Sequence, residues 1–76
     1  MTQKSQHVDQ IGWTAGKVWN HLCASGAISN AKLVKEIDEP RDTVMQALGW
    51  LAREGKVQIH DTKRGRLIEL VRREAA

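Results

Sequence analysis

Residues 40–71 read PRDTVMQALGWLAREGKVQIHDTKRGRLIELV, and this stretch decides the fold. Val44, Ala47, Leu48 and Leu51 recur at i, i+3, i+4 and i+7, the spacing that gathers apolar groups on one face of a helix. Pro40 suits the first position of that helix, where its missing N–H costs nothing, and the neighbouring acids favour the helix dipole. The helix ends at Gly55. Beyond it Val57 and Ile59 alternate with Gln58 and His60, and Ile68 and Leu70 alternate with Leu67, Glu69 and Val71, as in a two-stranded ribbon turned at Thr62-Lys63-Arg64-Gly65. A lone hairpin is unstable in water, so this one must pack on helices.

Working back from Pro40, Asp38-Glu39 reads as a turn and Ser29 as the N-cap of a second helix with Leu33, Val34 and Ile37 inward and Lys32, Lys35 and Glu36 outward. Ala27-Ile28 is long enough only for a token strand. Ile11, Ala15, Val18, Trp19 and Leu22 mark a first helix from about Asp9 to Ser25, stopped by Gly26 in the left-handed capping role. The order is helix, short strand, helix, helix, strand, strand: a mainly α chain with a small β-wing, the layout of a winged helix-turn-helix. One domain over residues 8–71 accounts for all of it, with residues 1–7 and 73–76 read as flexible ends.

Composition narrows the function classes. A chain of 76 residues holds a single small core. One cysteine excludes an internal disulfide, and neither an apolar signal segment nor a run of membrane length is present, so a cytoplasmic protein is expected. The net charge of +3 predicts no partner by itself, but its placement is uneven. Residues 56–76 carry Lys56, Lys63, Arg64, Arg66, Arg72 and Arg73 against Asp61, Glu69 and Glu74, while residues 29–55 are slightly acidic. Catalysis has little to stand on. His21 and Cys23, two apart on a helix, point to different faces and cannot share a metal, and His7 and His60 read as isolated. No phosphate loop, nucleophile elbow or carboxylate pair stands out, so no enzyme, metal or cofactor is expected.

The blocks Thr14-Ala15-Gly16-Lys17-Val18-Trp19 and Ala47-Leu48-Gly49-Trp50-Leu51-Ala52-Arg53-Glu54-Gly55-Lys56 resemble a family of small, largely bacterial, stand-alone winged-helix proteins of unassigned function. The similarity spans roughly residues 8–71. It implies the fold but little about activity, since the family has no agreed biochemical role and winged helices also serve as protein-docking modules. Asp38-Glu39-Pro40 departs from the small polar cap commoner before the third helix, and works against phosphate contacts there.

In helix-turn-helix recognition the second helix of the motif offers its N-terminal residues to base edges in the major groove. Here those are Arg41, able to read guanine, Gln46, able to read adenine, and Thr43, whose methyl suits thymine; Asp42 would accept only from cytosine. Lys63, Arg64 and Arg66 on the hairpin tip would reach phosphates or the minor groove, giving affinity without sequence choice. The first expectation is therefore a double-stranded DNA binder, a transcription regulator or nucleoid accessory factor, acting as a dimer. The alternative is a protein-interaction or self-association module that uses Gly49 and Trp50. Trp19 is expected in the core, Trp50 under the wing strands, and Gly16 at a close helix contact.

Overall fold

The computed structural model describes residues 6–71. The elements are α1 (Gln6–Ser25), β1 (Ile28–Ser29), α2 (Asn30–Glu36), α3 (Arg41–Arg53), β2 (Val57–Thr62) and β3 (Gly65–Leu70). This is the expected order. Most of the ends read as flexible fall outside the described residues, although Gln6 and His7 belong to α1.

Local chemistry sets each boundary. At the end of α1, Gly26 takes a φ of 77° and donates its N–H to the Leu22 carbonyl at 2.9 Å. Ser29 Oγ accepts the Lys32 N–H at 3.1 Å and so starts α2. Pro40 lies one residue earlier than the sequence predicts: it is the extended N-cap, its carbonyl accepting the Val44 N–H at 3.0 Å, and Arg41 is the first helical residue. At the far end of α3 the Gly55 N–H reaches Ala52 O at 3.0 Å and the Lys56 N–H reaches Leu51 O at 2.9 Å. With Gly55 at a φ of 74°, this is a Schellman closure.

The sheet is antiparallel in the order β1-β3-β2. Thr62 pairs with Gly65, leaving Lys63 and Arg64 as a two-residue tip, and Ile68 lies between Ile28 on one side and Ile59 on the other. One core joins the helices to the base of this sheet: Val18 and Leu22 from α1, Leu33 from α2, Val44, Ala47, Leu48 and Leu51 from α3, then Ile28, Val57 and Ile68. The wing projects beyond it. Only Val57 of β2 is buried, and Ile59, expected inward, is 40% exposed: its cross-strand partner Ile68 on the central strand is fully buried, whereas Ile59 lies on the edge strand.

Candidate nucleic-acid interface

The outward side of α3 carries Arg41, Asp42, Gln46, Gly49 and Arg53, all exposed, as the helical period requires. Thr43 does not join them. It is 9% exposed, so its methyl is turned into the protein and unavailable to a base, which corrects the sequence expectation. The remaining base-edge candidates on this helix are Arg41 and Gln46.

Acids flank the start of α3 unequally. Glu39 Oε2 accepts from Lys17 Nζ at 2.6 Å, so a lysine of α1 neutralises one carboxylate of the turn before the helix. Asp38 and Asp42 make no ion pair among the described residues. Pro40 adds no N–H, so the first turn of α3 offers fewer phosphate donors than a Ser- or Thr-capped helix would.

On the wing, the tip is fixed by Thr62, whose Oγ1 donates to the Gly65 carbonyl at 2.7 Å and accepts the Arg64 N–H at 3.2 Å. Gly65 closes the turn at a φ of 126°, a backbone conformation that a side chain would strain. Lys63 and Arg64 project from this rigid tip, both exposed and both without a carboxylate partner among the described residues. Arg66 differs. Its Nε donates to Asp61 Oδ1 at 3.3 Å across the ladder, which neutralises it in place.

Ion pairing sorts the other basic residues in the same way. Lys32 pairs with Glu36 at 3.8 Å and Lys56 with Glu54 at 3.5 Å. Among the described residues this leaves Lys35, Arg41, Arg53, Lys63 and Arg64 as cations with no acidic partner.

Two histidine contacts escaped the sequence reading. His60, read as isolated, meets Glu69 at 2.7 Å, and His21 of α1 meets Glu36 of α2 at 2.7 Å. The first was recoverable: a two-residue turn sets Gln58 opposite Glu69 and His60 opposite Leu67, which makes His60 and Glu69 diagonal neighbours. Nothing in residue spacing signals the second.

The aromatic residues also depart from expectation. Trp19 is only half-buried, with Lys56 Nζ at 5.9 Å from its ring centre. Trp50 is 45% exposed and faces α1 instead of lying under the wing: with Gly12, Gly16 and Trp19 it lines a groove of about 330 Å³ between α1 and α3. Gly16 and Gly49 are not sites of tight packing within the chain, since a Cβ at either would meet nothing within 4 Å.

A family model described as a winged helix-turn-helix domain, DUF2582, matches residues 1–70. The chain belongs to that family. A solved structure, the solution NMR structure of a protein from Bacteroides thetaiotaomicron, is 34% identical, covers 82% of this chain and 76% of that one, and superposes with a TM-score of 0.73. No curated protein matches. The winged helix-turn-helix is in general a DNA-binding type of domain and a typically non-enzymatic fold. Among the described residues no group of three His, Cys, Asp or Glu side chains could hold a metal ion, and no helix is long and apolar enough to cross a membrane.

Proposed function

We propose that this protein binds double-stranded DNA, with the wing tip on the phosphates and α3 toward the bases, as a transcription regulator or nucleoid accessory factor. The observation that carries the reading is the pair Lys63 and Arg64, two adjacent exposed cations with no acidic partner among the described residues, on a turn braced by Thr62. A braced tip loses little conformational freedom on binding, so its charge is available to phosphates at low cost. Arg41 and Gln46 supply the base-edge chemistry for guanine and adenine. Arg66 contributes less than its charge implies because Asp61 holds it.

A salt titration tests the proposal. Binding to a random-sequence duplex is expected to weaken steeply with salt, the logarithm of affinity falling by about 0.9 for each phosphate neutralised per unit of log salt. Changing Lys63 and Arg64 together to Glu should abolish it. Salt-independent binding, or a double variant that binds as well as the parent, would overturn the reading.

The second reading is a protein-interaction module, favoured by one observation: Trp50 is half exposed beside Gly49 on the same helix. Aromatic anchors next to accessible backbone are common at the centres of interfaces. Under this reading Trp50→Ala breaks a salt-insensitive association and leaves the wing irrelevant.

A further inference from the structure

α1 presents a largely exposed stripe, and that stripe is complementary to itself. Trp13 is 68% exposed, the most exposed of the large apolar residues. Asp9 and Lys17 stand four residues before and after it, on the same stripe of the helix and about 6 Å to either side along its axis. The stripe therefore reads acid, aromatic, base. Beside it lie Gly12 and Gly16, where a Cβ would meet nothing within 4 Å, so neither glycine is required by packing inside the molecule.

A twofold axis through Trp13 brings these features into register. In an antiparallel pair of α1 helices, a residue n places before position 13 faces the residue n places after it, so Asp9 of each copy faces Lys17 of the other. A knob from one helix enters a hole of four residues spaced i, i+3, i+4 and i+7 on the facing helix. The hole around Trp13 is Asp9, Gly12, Trp13 and Gly16, and two of its corners carry no side chain. That leaves room for an indole.

We infer that two copies of this protein associate through antiparallel α1 helices, each Trp13 seated over Gly12 and Gly16 of the other copy and flanked on both sides by an Asp9–Lys17 pair. The occupant is a second copy because charge and shape complement each other under a twofold operation and nothing else is needed to complete the face. Lys17 Nζ already lies 2.6 Å from Glu39 and 5.9 Å from the Trp13 ring centre, which holds the ammonium beside the tryptophan. Asp9 makes no ion pair among the described residues. The inference is independent of DNA binding; Gly12 and Gly16 also border the groove lined by Trp50 of α3, so Trp50→Ala, which should leave this association intact, separates it from the second reading.

Sedimentation equilibrium on the full chain provides the test. The parent is expected to be a dimer; Trp13→Ala should weaken the association about tenfold or more, as loss of a buried aromatic anchor does. Gly16→Leu should fill the hole and give a monomer with an unchanged circular dichroism spectrum, since the helix has space for the side chain. Asp9→Lys and Lys17→Glu should each be monomeric, through like charges on facing copies, yet form a heterodimer when mixed, because both cross-pairs are then opposite in sign. Heterodimer recovery does not depend on either variant alone and so separates loss of the interface from loss of the fold. A monomeric parent, a dimer indifferent to Trp13→Ala and Gly16→Leu, or no heterodimer on mixing would each overturn the inference.

Discussion

Lys17 and Glu39, 22 residues apart, meet at 2.6 Å and join α1 to the turn that launches α3. Half of the acidic character expected at that turn is thereby cancelled from inside the protein. The two ways of breaking the pair should act oppositely on DNA. Glu39→Gln removes a negative charge near Arg41 and should raise duplex affinity about two- to threefold, while Lys17→Met exposes the carboxylate and should lower it by a similar factor. Both should cost about 0.5–1 kcal/mol of stability, because the pair is only partly buried. Urea melts and fluorescence anisotropy in one low-salt buffer give both quantities; affinities moving in the same direction would remove Glu39 from the DNA argument.

The glycines divide into two classes with opposite expected responses. Gly16 and Gly49 sit inside helices with no neighbour within 4 Å of a built Cβ, so alanine should stabilise the monomer by about 0.5–1 kcal/mol at each. Gly26 and Gly55 hold φ values of 77° and 74° at helix ends, where alanine should cost about 1 kcal/mol. The comparison is made on thermal midpoints of the four single variants. Destabilisation by Gly16→Ala at a protein concentration where the chain is monomeric would point to a backbone approach within the chain that the structure does not contain.

Much of this architecture was legible in the sequence because helix and strand periods are one-dimensional signals. The α3 stripe of Val44, Ala47, Leu48 and Leu51 is buried as read, and Ser29 caps α2 as read. What failed were statements that need the extent of a neighbouring element. Thr43 and Trp50 share a flank of α3 by helical angle, yet they stand about 10 Å apart along the axis. The neighbouring elements cover that flank at Thr43 but leave it open at the groove around Trp50. A helical wheel carries no information about such cover. The same holds for Ile59, which alternates correctly but lies on the edge strand, beside a central-strand partner, Ile68, that takes the cover. Of the candidate site, the wing cations were plain in the sequence, whereas their partition into paired Arg66 and unpaired Lys63 and Arg64 depended on ladder register.

Thr14 is fully buried in α1 and its hydroxyl has no hydrogen-bond partner among the described residues. An unsatisfied buried polar group carries its desolvation penalty without compensation. Thr14→Val keeps the shape and removes the hydroxyl, and is expected to stabilise the fold by about 1 kcal/mol. A rise in the urea midpoint at constant m-value checks it. Destabilisation instead would show that the hydroxyl is satisfied in solution.

Among the described residues Asp61 is the one acid paired to the wing's basic cluster, and under the proposed function it sets how much of that cluster a phosphate meets. Its Oδ1 accepts from Arg66 Nε at 3.3 Å, with both side chains well exposed, so the contact adds little to stability but does cancel a charge. Asp61→Asn should therefore leave the melting temperature nearly unchanged. It should free Arg66 as a third cation beside Lys63 and Arg64, steepening the salt dependence of duplex binding by about one unit of slope and tightening binding at low salt. Arg66→Ala in the parent protein should change that slope little, because the charge it removes is already neutralised; in the Asp61→Asn background the same change should cancel the gain. This double-mutant cycle on the salt slope tests whether the wing meets phosphate at all: an Asp61→Asn slope equal to the parent's means that the tip stays in water when duplex is bound.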